Sequence, residues 1–384
     1  MNLSFNSFIR TTDQEHIKAA QEFWRLVAAN GFIIKKKYKV KYCVGCELEK
    51  QDSELVDGCC PLHPDQELEI IEEENYFFKF SEFQGKLIDL YEKNPEFVLP
   101  QKRFNEIKKF VEGGLEDFSI SRLKEKMPWG IEVPGDPSQV MYVWFDALVS
   151  YISAIGWPDD QDKFKDWWPA TQTAGKDNLR QQSAMWQAML MAAGLRNSKQ
   201  VFINGFIISD GQKMSKSLGN VINPAELVKK FGVDGTRYLL LTAGNFGEDA
   251  DITMERMAEK YNADLANGLG NLVSRTLKLN EKLRVAPISG KDIKIEKYVE
   301  RMELKEALDE IWRVIDWANK KIEETRLWEL VKTDESQAKE VMAELLAAIS
   351  EIGEALKSFL PETAEKVSRM LSAGQVEPLF QRIK

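Results

Sequence analysis

The chain is predicted to form an α/β unit, interrupted by a small cysteine-bearing β insert and followed by an all-α helical bundle. Three observations predict this. Between Ile131 and Ile208 apolar runs alternate with a helical stretch in the order strand, helix, strand. All four cysteines fall between Cys43 and Cys60. After Pro224 only Pro287, Pro361 and Pro378 interrupt sequence rich in Ala, Leu, Glu and Lys.

The elements follow in order. Thr12-Asp13-Gln14-Glu15 has the form of a capping box. It opens a helix with Ile17, Ala20, Phe23, Leu26 and Val27 on one face, closed by Asn30-Gly31. A β-rich insert is expected from Phe32 to Phe80, and helices from Glu82 to Gly114. Val140 to Phe145 and Val201 to Ile208 read as strands of a parallel βαβ unit, with Asn178 to Gly194 as the helix between them. Within the carboxy-terminal bundle, Ile288 to Lys294 reads as a loop.

At 384 residues the chain has room for two or three domains with ample core. Its 43% hydrophobic and 29% charged residues are those of an ordinary globular protein. A net charge of −9 does not advertise nucleic-acid binding, but local basic patches can hold RNA on an acidic protein. No apolar run approaches the roughly 18 residues of a membrane span, and Met1 to Phe5 does not lead into a signal peptide. A cytoplasmic protein is expected, in which clustered cysteines argue for metal rather than disulfides.

The metal motif is specific. Cys43-Val-Gly-Cys46 is followed, after thirteen residues, by Cys60-Pro-Leu-His63. Two such elbows present four N/S ligands tetrahedrally, as Zn2+ prefers, and a closed three-thiolate, one-imidazole set is structural rather than catalytic. Cys59 adjoins Cys60 and could compete, but the Cys-Pro-x-His spacing favours Cys60.

Lys213-Met214-Ser215-Lys216-Ser217 places two lysines three apart in a Ser- and Gly-flanked loop. Paired cations on a polar loop suit neutralising charge that builds on a phosphate during transfer. With the following Leu-Gly-Asn the segment resembles the second signature of class I aminoacyl-tRNA synthetases. The first signature, His-x-Gly-His, is absent, since the only histidines are His16 and His63.

The resemblance narrows to the methionyl-tRNA synthetase family, one-knuckle bacterial type, and covers essentially the whole chain. It is carried by Ser4 to Asp13, the knuckle, Asp117 to Arg122, Val133 to Pro137 and Tyr142 to Ala147. Ala174-Gly175-Lys176-Asp177, the lysine loop, Tyr261 to Asn267 and Gly270 to Arg275 carry it further. It implies a partial Rossmann-like catalytic domain with a zinc-knuckle insert, then an anticodon-binding helical bundle. The expected boundaries are 1–31 for the remainder of the first Rossmann half and 32–80 for the insert. The second half with the lysine loop takes 81–225, a stem-contact region 226–263, and the anticodon domain 264–384.

The resemblance also implies a two-step reaction. Methionine and ATP with Mg2+ give methionyl-adenylate, and the aminoacyl group then passes to tRNA(Met). Lys213 and Lys216 would be catalytic and ATP-binding, with Gly175 and Asp177 at the adenosine. The methionine pocket would comprise Trp144, Ala147, Leu148, Tyr151, Asn178 and Gln182, aromatic and apolar walls suiting a thioether. Arg122 would be a further cationic anchor near substrate, or else serve a surface salt bridge. Asn271 and Arg275, one helical turn apart, would read the anticodon, with Trp328 stacking on a base.

This sequence departs from the family pattern. An amino-terminal part with His-x-Gly-His is expected to precede Met1 in a longer gene reading, rather than come from a separate chain, and without it the chain alone is expected to be inactive. Asn178, Gln182 and Asn204 stand where many members have isoleucine, histidine and histidine. A monomer is expected. Competing readings are a non-catalytic tRNA-binding remnant, against which the intact lysine pair speaks, and a class I synthetase for another small apolar amino acid.

Overall fold

The computed structural model describes residues 1–46, 48–50, 54–214, 220–288, 290, 292–374 and 376–383. Two compact units divide the chain: Phe5–Ile203, and Asn204–Lys384 joined by Met1–Ser4. The segment 204–225, grouped from sequence with the second Rossmann half, packs in the latter.

The first unit opens with α1 (Gln14–Ala29). Its amino-terminal cap is Asp13, but the carboxylate turns back and accepts a 2.9 Å bond from the Arg10 N–H instead of capping the helix. The expected capping box therefore does not form. Ala20, Phe23 and Val27 are buried as expected, Ile17 and Leu26 only partly, and Ala19 and Trp24 join the buried face.

The insert is a long antiparallel hairpin of β1 (Ile33–Cys43) and β3 (Glu69–Phe78), with β2 (Leu48–Lys50) beside β1. Helix α2 (Gln84–Lys93), strand β4 (Val98–Leu99) and helix α3 (Gln101–Glu112) follow, then β5 (Phe118–Ser119), which extends the insert sheet in the order β2-β1-β3-β5.

Strands β6 (Ser121–Leu123), β7 (Glu132–Val133) and β8 (Asp136–Met141) make an antiparallel sheet. The expected strand Val140–Phe145 is thus corrected. Its first two residues end β8, and Val143 begins helix α4 (Val143–Ala147), followed by α5 (Ser150–Ser153). A short, uninterrupted apolar run has no period that separates strand from helix.

After α6 (Gln161–Trp167) comes β9 (Thr171–Gly175), then a π-helical turn (Gln181–Met185) running into α7 (Trp186–Ala192), then β10 (Gln200–Asn204). The sheet order is β4-β10-β9, with β10 parallel to β4. The strand–helix–strand unit exists, one strand later than the sequence suggested. Phe23 lies at its centre, 5.7 Å from Phe145 and 5.6 Å from Trp186 between ring centroids.

The second unit begins with β11 (Ile207–Ser209) and β12 (Gln212–Lys213). The expected strand Val201–Ile208 is therefore two strands in different sheets. Helix α8 (Pro224–Leu241) starts at Asn223, whose side chain accepts from the Ala225 N–H, and strand β13 (Ala250–Asp251) pairs parallel with β11. Then come α9 (Met254–Lys260), a π-helical stretch (Tyr261–Gly270), α10 (Asn271–Leu283) and α11 (Glu296–Glu300). The bundle is completed by α12 (Leu304–Glu324), α13 (Leu327–Thr333), α14 (Glu335–Leu356) and α15 (Pro361–Ala373). Leu265, Val273, Ile311, Ile315, Leu345 and Ile349 are fully buried within it. Among the described residues no helix is long and apolar enough to cross a membrane.

The start of α15 is capped from a distance. Buried Asp234 on α8 accepts the Thr363 N–H at 2.6 Å. Burial holds its carboxyl above the ordinary carboxylate value, against the Thr363 bonds that lower it. A raised folded value means that this group's stabilisation is present in acid and lost as pH rises through that value. Asp234→Ala should cost about 1–3 kcal/mol in urea unfolding. Asp234→Asn keeps an acceptor without the buried charge, so it should gain on the wild type as pH rises.

Candidate functional site

Four chemically distinct groups of side chains stand out, each within one unit. The first is in the insert. Cys43, Cys46, Cys60 and His63 place their ligand atoms within 4.8 Å of one another, and no other such group exists among the described residues. Cys59 is not part of it. His63 Nδ1 lies 3.2 Å from Cys46 Sγ and 3.7 Å from Cys43 Sγ, and Cys46 Sγ lies 3.4 Å from Cys60 Sγ. These separations suit one tetrahedral ion about 2.0–2.3 Å from each donor.

The backbone is shaped for this closeness, since a Cβ on Gly45 would come within 2.6 Å of the His63 ring. Burial raises the Cys46 thiol, reinforced by Cys60 and Cys43, to about 12. Burial also opposes ionisation of Cys60, but hydrogen bonds from His63, the Leu62 N–H and Cys46 outweigh it and bring that thiol to about 6. The donor set fits a thiophilic divalent ion.

The second group lines the region above β9. Tyr151, half-buried in α5, lies beside Gln182 of the π-helical turn; burial raises its phenol and the Gln182 amide partly offsets this. Gln182 is held from behind, its Oε1 3.4 Å from Gln172 Nε2. Trp144 is partly buried and its indole N–H has no hydrogen-bond partner. Leu148 is buried, while Ala147 and Asn178 are intermediate. Tyr151 and Gln182 are thus brought together, and Trp186 backs Tyr151 at 6.4 Å.

Asp177 is exposed beside Gly175, where a Cβ would lie 2.7 Å from the Asp177 Oδ1. Arg122 is buried and committed inside the protein. Its Nη1 donates to Ser119 Oγ at 2.7 Å and to the Ser121 carbonyl at 2.8 Å, and its guanidinium lies 4.2 Å from the Tyr142 ring.

Sequence reading passed over His16. It is fully buried, with Nε2 2.6 Å from Asp146 Oδ1 and Nδ1 3.0 Å from Ser153 Oγ. Its ring ties α1 to both short helices that carry the Trp144–Tyr151 segment.

The third group is the start of the lysine loop. Asp210-Gly211, with φ of 51° and 72°, makes the two-residue turn between β11 and β12. An Asp-Gly pair after apolar residues is itself a hairpin signal, and it delivers Lys213 two residues beyond the turn. Lys213 Nζ lies 5.0 Å from the centre of the Phe206 ring. Lys216 lies outside the described residues.

The fourth is on the bundle. Asn271 and Arg275 sit on α10, Asn271 exposed and Arg275 half-buried. The Arg275 guanidinium carbon lies 5.6 Å from the Trp328 ring, and its Nη1 lies 2.6 Å from Glu323 Oε1. A cation, an aromatic face and a carboxylate therefore meet where the end of α12 and the start of α13 reach the side of α10, with an amide one turn away.

A mixed α/β unit with a Cys/His insert, leading through a lysine hairpin to a helical bundle, defines the class I aminoacyl-tRNA synthetase architecture. The sequence pattern described as tRNA synthetases class I (M) matches residues 1–69 and 64–277. The chain belongs to the methionyl-tRNA synthetase family of that class. A methionine–tRNA ligase of Caldanaerobacter subterraneus subsp. tengcongensis is 40% identical over 405 residues, covering 100% of this chain and 63% of that protein. One from Brucella melitensis is 39% identical over 394 residues, covering 97% of this chain and 76% of its own length. A Mycobacterium tuberculosis methionyl-tRNA synthetase bound by methionyl-adenylate superposes with a TM-score of 0.87 at 33% identity. That match covers 100% of this chain and 83% of the other. The chain spans less than two thirds of the length of several relatives it matches, 61–63% in five cases.

Proposed function

We propose that this chain serves methionine–tRNA ligation, activating methionine with ATP and Mg2+ and passing it to tRNA(Met). The observation that carries the proposal is the match along the full chain to a synthetase described as bound by methionyl-adenylate. Trp144, Ala147, Leu148, Tyr151, Asn178 and Gln182 would form the side-chain pocket. The phenol of Tyr151 and the amide of Gln182 would give that pocket a polar end, while aromatic walls suit a polarisable sulfur.

Asp177 would accept ribose hydroxyls, and Gly175 would let the nucleotide approach the backbone. Lys213 and Lys216 would stabilise charge on the α-phosphate and the leaving pyrophosphate. Cys43, Cys46, Cys60 and His63 would hold one structural Zn2+, which orders the insert and takes no part in the chemistry. Arg122, buried against Tyr142 and Ser119, would act by stapling strands beside the site rather than by touching substrate directly. Asn271, Arg275 and Trp328 would meet the anticodon. The domain limits 1–31, 32–80, 81–225, 226–263 and 264–384 remain the proposed functional divisions.

Titrating the chain with a non-hydrolysable methionyl-adenylate analogue, followed by calorimetry, tests the pocket. Saturable binding that methionine and ATP compete away is expected. An isoleucyl analogue should bind at least tenfold more weakly, because one misfit methylene in an apolar pocket costs roughly 1–3 kcal/mol. Equal binding of both analogues would remove methionine as the substrate and keep the class.

A further inference from the structure

Behind Tyr151 and Gln182 runs a chain of buried polar side chains with no role assigned so far. Gln172 is on β9, Gln182 in the π-helical turn, Gln187 on α7 and Ser198 in the connection to β10, and each is more than nine-tenths buried. Polar groups so deeply buried are costly unless they meet partners in a fixed geometry.

The backbone sets the direction of the chain. The Ser198 N–H, which can only donate, meets Gln187 Oε1 at 3.1 Å. The other end of that amide, Nε2, therefore donates, to the Gln182 carbonyl at 2.9 Å and to Ser198 Oγ at 3.0 Å. The Ser198 hydroxyl in turn donates to Gln172 Oε1, 2.5 Å away. Gln172 Nε2 then donates to Gln182 Oε1 at 3.4 Å. An amide whose oxygen faces backwards presents its nitrogen forwards, on the side of Tyr151. Gln182 also offsets part of the rise that burial imposes on the phenol, the effect of a donor N–H and not of an acceptor.

A phenol oxygen that accepts from Gln182 keeps its own hydrogen for the pocket. A thioether sulfur is a weak acceptor, and a methylene is none. We infer that Gln172 is a positioning residue for side-chain selection. It holds the Gln182 amide with its N–H toward Tyr151, so that the phenol hydrogen is directed at a thioether in preference to an equally long hydrocarbon. This inference rests on the reading of Tyr151 and Gln182 as pocket residues.

A purely structural network would behave differently. If these bonds only tied α7 to β9 and β10, altering one would lower stability and weaken every ligand alike. The ratio between two ligands of the same shape would stay unchanged.

The test uses the 1–384 chain and two non-hydrolysable adenylates, methionyl and norleucyl, whose side chains differ only in sulfur against methylene. Calorimetry gives their dissociation constants, and urea unfolding shows which variants fold. The wild type should prefer the methionyl analogue roughly three- to tenfold, the worth of one modest hydrogen bond. Gln172→Glu keeps the length but only accepts when ionised. The Gln182 amide must then turn over, and the preference should vanish at about pH 9. Burial favours the neutral form of that new carboxyl, which donates again, so the preference should return at about pH 5. Gln172→Met, which has no donor, should lower the preference part way. In a Tyr151→Phe background Gln172→Glu should change nothing further, because the last donor is already gone.

Equal binding of both analogues by the wild type overturns this inference, while the isoleucyl comparison still decides the pocket. No saturable binding of either overturns the pocket reading and the inference with it. A preference that survives both Gln172 variants overturns the positioning role, as does a loss in Gln172→Glu that low pH fails to reverse. If Gln172→Glu does not fold, Gln172→Met decides alone.

Discussion

Stripping the metal from the Cys43–His63 group is expected to disorder the knuckle and loosen the hairpin it closes. Four ligand atoms gathered within 4.8 Å are mutually repulsive once their thiols ionise, so without a cation the cluster cannot hold in its charged form. Among the described residues between β2 and β3, strand pairing is limited to isolated bridges, Val56 with Cys59 and Cys60 with His63.

Structural Zn2+ in small domains supplies an apparent 10–16 kcal/mol near neutral pH, far above any contact in the hairpin. One zinc per chain should be found by metal analysis. Chelation should abolish hydrogen-exchange protection around residues 43–63 while α1 and α7 stay protected. Cys60→Ser should lose the metal and Cys59→Ser should keep it; equal loss in both would show that the third thiolate was misassigned.

Trp186→Ala is expected to destabilise the first unit by about 3–5 kcal/mol, the usual cost of truncating a large buried aromatic. Trp186 is fully buried and touches three other rings, Phe23 at 5.6 Å, Tyr151 at 6.4 Å and Trp168 at 6.4 Å. The cavity would open directly behind Tyr151, so the pocket should loosen together with the fold. Trp186→Phe should cost much less than Trp186→Ala. It keeps an aromatic face, and it removes an indole N–H that is buried without a partner. Urea unfolding of the three proteins compares them. A loss under 1 kcal/mol for Trp186→Ala would mean that the neighbouring rings close the gap.

What could be read from sequence follows the range of each signal. The Cys/His elbows were legible because metal ligation fixes residue type and spacing within a few positions. The helical bundle was legible because a long stretch rich in Ala, Leu, Glu and Lys after Pro224 is interrupted only by Pro287, Pro361 and Pro378. The strand at Val140–Phe145 was misjudged because a short run of apolar residues has no polar position to reveal its period. The capping box failed because the helix starts one residue later than Thr12 could cap, with its cap at Asp13, whose carboxylate accepts from the Arg10 N–H instead. His16, Gln172 and Glu323 went unnoticed for a different reason. Each acts through partners from 10 to 137 positions away, and nothing local marks them.

The buried tie made by His16 bears on how this protein can be recombined with its relatives. Position 31 is a natural place to cut, since α1 ends at Ala29 and the insert begins just beyond. Yet His16 reaches across the insert to Asp146 and Ser153, and Phe23 packs on Phe145. A chimera joined at that boundary would pair one parent's first helix with another parent's pocket helices. Segments 14–29 and 143–153 therefore form a single inheritable block despite the hundred-odd residues between them, and crossover points that respect it lie inside the insert only when both flanks come from the same parent.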